Sequence, residues 1–339
     1  MAPTKKSKTL PPTPEVSWHT SRNSPISDQS LMSQMSTTNS HLATPRMENM
    51  PRGTALPISG LKWHNDDFDD SCNIDSFLSF IKIISLKHPT FLLANLKLKH
   101  DKSEKVIQDI ILSYQSSKQD AMLLELQDNL ARISWATTVL LKPMVPGEKV
   151  NLRGSEEEHV FNYLNASSLI HWEYSCTCGP QYLTVNSLEV NTGTQLVEFH
   201  RTNDPTCGPY HHKRCMRCHQ HFVFKKVTMP EATWLIRVVF DKVKGTGAHP
   251  EKLPKFLSFD NFVFKLGYIS YYNVEGKSML HQTSCHLVQD QWFHYDGVKY
   301  GGELRKVTEN LIPARHTPLQ AVYYKIFESP VPKIENLKI

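Results

Sequence analysis

Asp69-Asp70-Ser71-Cys72-Asn73-Ile74-Asp75-Ser76-Phe77-Leu78-Ser79 places a cysteine immediately ahead of apolar residues at helical spacing. Ile74, Phe77, Leu78, Phe80, Ile81, Ile84 and Leu86 form one stripe that stops before Pro89, so the spacing predicts an amphipathic helix over 74–86. At a helix start, the dipole and the free backbone N–H groups favour the thiolate, which is the nucleophilic form of cysteine. An unreactive cysteine fits this segment equally well. Its meaning therefore depends on what the rest of the chain brings to it.

Partners for a nucleophile occur far downstream. Lys265 to Tyr272 reads as a strand, Asn273 to Ser278 as a polar loop, and His281 to Val288 and Trp292 to Tyr295 as two further runs around a short turn. Paired as a hairpin about Gln289 to Gln291, facing positions sum to roughly 580, which sets Asp296 opposite Ser284 near the His281 end. A base whose second ring nitrogen is held by a carboxylate on the adjacent strand is the general triad arrangement. Cys72 is thus the candidate nucleophile, His281 the base and Asp296 its orienter. His286 is the rival base. It lies an odd number of positions from His281, so the two point to opposite faces of a strand, and only one can look toward Cys72. His286 is expected to be solvated or to pack beside Trp292, whereas Cys285 shares a face with His281 and reads as a core or near-site residue.

The chain has seven cysteines, an odd number that disfavours a fully paired disulfide framework. Cys72 and Cys285 stand alone, and the others (Cys176, Cys178, Cys207, Cys215, Cys218) fall close together, which reads as a metal site in a reducing compartment. Cys176-Thr177-Cys178 offers one short-spaced pair of zinc ligands and Cys215-Met216-Arg217-Cys218 the other. The one-residue gap makes the first pair the less usual half, and Cys207, His211, His212, His219 and His221 are alternative ligands. Four protein ligands leave no open position for water, so such a Zn2+ is structural.

Organisation follows from composition. The first 60 residues are nearly half Ser, Thr and Pro, with Trp18 the sole aromatic; residues 1–60 are expected to be a disordered tail. Lys5, Lys6 and Lys8 make only a weak basic cluster. Val106 to Tyr114 and Asp120 to Trp135 are further helix candidates, the second with Met122, Leu123, Leu126, Leu130 and Ile133 on one face; Glu158 to Ile170 reads less clearly. After about 170, short aromatic and β-branched runs predict strands over 169–174, 182–190, 195–199, 221–227, 233–240, 256–259, 262–272, 282–288 and 291–295. Helices first and antiparallel strands second is the α+β pattern. With 38 Lys+Arg against 33 Asp+Glu, the charge balance gives no reason to expect nucleic acid as a partner. The longest apolar run, Phe77 to Leu86, contains Ser79 and Lys82 and is too short to span a bilayer. No apolar amino-terminal segment suits a secretory signal. The expectation is an intracellular protein of nucleus or cytoplasm, off the membrane and monomeric.

Ser71-Cys72-Asn73-Ile74-Asp75-Ser76-Phe77-Leu78 resembles the cysteine box of the ubiquitin-specific proteases, and His281-Gln282-Thr283-Ser284 through Trp292-Phe293-His294-Tyr295-Asp296 resembles their histidine box. The cysteine pairs occupy the position of that family's zinc fingers, and Leu253-Pro254-Lys255-Phe256-Leu257 is similar to the strand before its histidine box. The resemblance covers about 61 to 310. It implies a papain-like cysteine protease fold with a helical thumb, an antiparallel β palm and a zinc-binding β fingers insertion about 170–228, in a peptidase domain over 61–330 followed by a tail over 331–339. The implied activity is a thiol-dependent isopeptidase, deubiquitinase-like, that cleaves ubiquitin or a ubiquitin-like modifier such as SUMO from lysine side chains. The family's oxyanion-stabilising Asn falls on Asp67 here, with Asn65 two residues further back as the substitute donor. Asp75, three residues after the nucleophile, makes the pattern similar to the SUMO-directed branch. An inactive fold that binds the modifier, and a zinc protein associated with nucleic acid, are the alternatives.

Overall fold

The computed structural model describes residues 59–62, 67–87, 101–190, 214–221, 223–240, 253–259, 262–273, 281–307 and 316–326. Every described residue belongs to one compact unit, Ala55–Ile339. Most of the 1–60 tail, Asn65, Cys207, His211, His212, the strand expected over 195–199 and the 331–339 tail lie outside the described residues.

The expected first helix is present as α1 (Cys72–Lys87), but it is not amphipathic. Every side chain from Asn73 to Ser85 is buried. A helix buried all round must satisfy its polar groups internally, and this one does. Asp75 pairs with Arg132 at 2.6 Å, Lys82 with Asp128 at 2.9 Å, and Ser79 Oγ accepts from the Leu61 N–H at 2.9 Å. Asp128 and Arg132 sit on α3 (Ala121–Ser134), which follows α2 (Lys102–Ser117). That pairing overturns the face expected for α3. Leu124, Asp128, Ala131 and Arg132 turn inward, while Met122, Leu123 and Leu126 are exposed. Two buried ion pairs, bidentate at Arg132, orient the helix more strongly than three apolar side chains would.

The remaining chain is mainly β. An eight-stranded sheet runs in the order β12 (Leu304–Lys306), β11 (Gln291–Tyr295), β10 (His281–Val288), β9 (Phe262–Asn273), β13 (His316–Ile326), β7 (Leu235–Phe240), β5 (Leu188–Val190), with β8 (Phe256–Phe259) paired to β9. Its ladders are antiparallel except for β5 on β7. A separate three-stranded sheet is ordered β4 (Gly179–Val185), β3 (Ile170–Cys176), β6 (Val223–Thr228). β1 (Phe68–Asp69) pairs in parallel with β2 (Val150–Asn151) just ahead of α1. These elements give the expected α+β class. No helix among the described residues is long and apolar enough to cross a membrane.

α1 packs on β9 and β10. A Cβ at Gly267 of β9 would lie 2.3 Å from the Phe80 ring, so only glycine admits that close approach. β13 is the long strand that sequence reading missed, together with the short β1, β2 and β12. It contains Pro318, and the β13–β9 register shifts between Pro318 and Gln320; an irregularity in the ladder is where proline is tolerated inside a sheet.

Candidate active site

The backbone turns sharply into Cys72. Asp70, between β1 and α1, holds a left-handed conformation with φ 57°, which Asp tolerates better than most residues. The Ser71 carbonyl then accepts from the N–H groups of Ile74 and Asp75, each at 3.0 Å, and the Ser71 hydroxyl donates to Asp75 at 2.9 Å. Cys72 is thereby held half-buried at the first residue of α1.

His281 opens β10, and its Nε2 lies 2.8 Å from Asp296 Oδ1. The Cys72 sulfur lies near enough to the same ring to raise its pKa. The three residues expected from the sequence therefore meet, drawn from a helix start, a strand start and the end of a hairpin. Burial disfavours the imidazolium, but the hydrogen bond to Asp296, the nearby Cys72 sulfur and the charges of both outweigh it, pushing His281 up to about 10. Burial also raises Asp296, and hydrogen bonds from His281 and the Lys299 N–H overcome it, leaving this carboxyl below its ordinary value. Asp296 additionally caps α5 (Gly297–Tyr300) by accepting from Lys299 N at 2.9 Å.

The hairpin corrects the expected register by one residue. Ser284 faces Tyr295 and Val288 faces Gln291, joined through Gln289 and Asp290 at φ 49° and 63°, as in a two-residue type I′ turn. Continued one step, this register sets Asp296 against Thr283, two positions from His281 and on its face. The expected pairing with Ser284 would have put the carboxylate on the wrong side, because a one-residue slip reverses every side chain.

His286, the rival base, is not solvated, and on the ladder it faces Phe293 while Trp292 faces Leu287. It is buried, its ring stacks on Tyr268 with centroids 5.5 Å apart, and Ser284 Oγ lies 2.9 Å from its Nε2. Burial and the neighbouring His294 depress it to about 3, so the ring is neutral. Cys285 is fully buried in the apolar core, and burial pushes its thiol far up. Asp67, at the expected oxyanion position, accepts from Asn129 Nδ2 at 3.0 Å, so its side chain offers no donor of its own.

Sequence reading missed a polar layer beneath this site. Its centre is the buried Glu156 of α4 (Glu156–His159), in a region with no clear helical stripe. The signal was present in Ser155-Glu156-Glu157-Glu158, a capping box that the structure shows closed in both directions.

The second cluster lies in the three-stranded sheet. Cys176, Cys178, Cys215 and Cys218 bring their sulfurs within 4.8 Å of one another, so both pairs, the one-residue gap included, contribute. Thr177 and Cys178 form the two-residue turn between Cys176 of β3 and Gly179 of β4, which folds both thiols to one side. On the other loop, Arg217 N donates to Cys215 Sγ at 3.4 Å and His219 N to Cys215 O at 2.8 Å, with His219 itself at φ 56°. N–H donors from Cys218 and Arg217 lower the Cys215 thiol, and the Thr177 hydroxyl and Gln220 N–H bring Cys218 down to about 6. Cys178, hydrogen-bonded to Cys218, is pushed up to about 12. These four thiols can hold a metal ion; His219 and His221 are exposed and outside the group.

No protein-family model matches the chain, and no curated protein matches it in sequence. Among solved structures, it is similar to the Saccharomyces cerevisiae PAN2 pseudoubiquitin-hydrolase at a TM-score of 0.37 and 11% identity, over 79% of this chain and 85% of that one. It is also similar to the Pan2 pseudoubiquitin hydrolase-RNA exonuclease module in complex with A7 RNA, at 0.39 and 10%, over 85% of this chain but only 57% of that one. An essential yeast splicing factor matches at 0.39 and 13%, over 80% of this chain and 73% of that one. Likenesses this distant carry no functional argument.

Proposed function

We propose that the chain is a thiol-dependent isopeptidase of papain-like fold that releases ubiquitin or a ubiquitin-like modifier, SUMO included, from lysine side chains. The observation that carries this reading is the 2.8 Å hydrogen bond of His281 to Asp296, with the Cys72 sulfur near enough to the same ring to raise its pKa. His281 takes the thiol proton, and the Cys72 sulfur attacks the carbonyl carbon at the modifier's carboxy terminus. The backbone N–H of Cys72 stabilises the resulting oxyanion. Collapse of the tetrahedral species expels the lysine nitrogen, which takes the proton from His281 and leaves a thioester. Water, deprotonated by His281, then hydrolyses the thioester to a carboxylate and restores the thiol. Asp296 fixes the imidazole tautomer throughout.

Cys176, Cys178, Cys215 and Cys218 are proposed to hold one structural Zn2+. Four thiolates around zinc at about 2.3 Å stand about 3.8 Å apart, in keeping with sulfurs mutually within 4.8 Å. The chain is proposed to work as a monomer in the nucleus or cytoplasm, on modifier conjugates and without nucleic acid or membrane.

The test is side-by-side reaction with ubiquitin and SUMO carrying carboxy-terminal electrophiles, read by intact mass. One of them should form an adduct that is absent in Cys72→Ala. Reaction with neither overturns the enzyme reading. The acceptor character of Asp67 favours a second reading, a modifier-binding protein without turnover; binding unaffected by Cys72→Ala, with no adduct, would establish it.

A further inference from the structure

The nucleophile and the base come from opposite layers, one from the helices and one from the sheet. Catalysis needs their separation held to a fraction of an ångström, which requires supporting contacts behind each side chain. The structure contains one short segment that reaches both. On the nucleophile side, Asn73, the residue after Cys72, donates from Nδ2 to the Leu152 carbonyl at 2.7 Å, and the same amide lies 2.7 Å from His159 Nδ1 of α4. On the base side, Glu156 of α4 accepts from Nε2 of Gln282, the residue after His281, at 2.7 Å. The same carboxylate accepts from Tyr268 of β9 at 2.6 Å and from Gln320 of β13. Asn73, Glu156 and Gln282 are each almost completely buried.

We propose that Glu156 is a positioning residue for the proposed reaction, a buried carboxylate clamp that fixes α4, and with it the start of α1, against the strand carrying His281. The clamp rests on the thiol–imidazole reading above, but it makes no use of which modifier is cleaved. Gln282 and His281 are neighbours on a strand and point to opposite faces, so the carboxylate grips the base's backbone without competing for its ring. Its acceptors are filled by hydroxyl and amide donors from three adjacent strands, which spreads the hold across the centre of the sheet. Burial raises Glu156 above the ordinary carboxyl value, against the lowering effect of these hydrogen bonds and of Arg237. Arg237 is itself engaged by Gln320 and Glu157.

A residue that merely stabilises the fold would lower the melting temperature and leave the chemistry of His281 alone. The discriminating measurement is the titration of the His281 ring, followed by NMR with ring-labelled histidine, together with the rate of adduct formation with the modifier electrophile. In the wild-type protein the ring should titrate near 10, because Cys72 and Asp296 both face it. In Glu156→Gln, which keeps the volume but turns one acceptor into a donor, the midpoint should fall by about one unit or more as the ring and the sulfur separate. Adduct formation should slow by about ten-fold or more, as expected for lost alignment. Gln282→Met leaves the carboxylate with Tyr268 and Gln320, and it carries the same expectation should Glu156→Gln fail to fold. An unchanged His281 midpoint in folded Glu156→Gln overturns the clamp, as does a wild-type midpoint at the ordinary value of 6.5. The titration needs no modifier, so a protein that reacts with neither electrophile would sink the isopeptidase reading while the clamp is still decided by NMR.

Discussion

The candidate active site and the cysteine cluster are both assembled from segments far apart in sequence, yet they are held in different ways. Cys72, His281 and Asp296 rest on a buried polar layer. Asp75 with Arg132, Lys82 with Asp128, and Glu156 with its three donors are almost wholly inside. The cluster stands on a three-stranded sheet with one buried thiol (Cys215), two half-buried, one exposed, and an exposed knuckle, Met216 being 94% accessible. The first arrangement takes its geometry from the folded core. In the second, β3 reaches the core through Ile170, Trp172 and Tyr174, but the end beyond them is joined by the sulfurs, so the geometry of that end depends on the ion they would hold. Each should therefore fail independently of the other.

Removing the metal should give the largest effect, confined to one region. Structural Zn2+ is worth about 10–16 kcal/mol of apparent binding in small domains where it drives folding. Chelation, or Cys215→Ser, should abolish amide-exchange protection in β3, β4 and β6 while β9, β10 and α1 keep theirs. Loss of protection in α1 would show that the two regions are coupled after all.

Cutting the buried layer should do the reverse. Arg132→Leu strands the Asp75 carboxylate in the interior, and breaking a buried pair from one side costs about 3–5 kcal/mol. The denaturant midpoint should drop accordingly, with the metal stoichiometry of the native protein unchanged. A smaller cost is expected for Gly267→Ala, whose new Cβ meets Phe80; overpacking of this kind costs about 1–3 kcal/mol. Calorimetry would detect it, and a neutral result would mean that α1 can shift on β9.

The pH dependence of stability should show effects of opposite sign on its two sides. His286 and His294 are depressed by burial to about 3 and about 4, so below 6.5 the unfolded chain binds more protons than the folded one. Their contribution is whole above pH 6.5 and is lost as pH falls toward 4 and 3. His281, raised to about 10, contributes fully below 6.5 and loses that contribution as pH rises through 10. His286→Phe should reduce the acid-side slope by about one proton, and an unchanged slope would remove His286 from the account.

The candidate site residues were legible because their types and order are restrictive: a cysteine at a helix start, a histidine at a strand start with a carboxylate across the turn, and two short-spaced cysteine pairs. What sequence failed to convey depends on partners distant in the chain. The inward face of α3 follows from Asp75 and Lys82 on another helix, which no periodicity within 121–134 encodes. Pro318 hid β13, although this strand lies between β9 and β7. The hairpin register was off by one because Gln289 and Asp290 adopt positive φ without a glycine to announce the turn. Glu156 went unnoticed because a single buried carboxylate is indistinguishable in sequence from its half-buried neighbour Glu157 and exposed neighbour Glu158.

The central claim is that Cys72 and His281 act as a unit, and competitive alkylation tests it most directly. Metal-loaded native protein is exposed to limiting iodoacetamide at neutral pH, and each cysteine is quantified by peptide mapping in the wild-type protein and in His281→Ala. Cys72 should be modified first of the seven cysteines, and it should lose that advantage in His281→Ala while the buried Cys285 stays inert in both. Modification of Cys72 at the same rate in both proteins, or preferential modification of Cys285, would contradict the account.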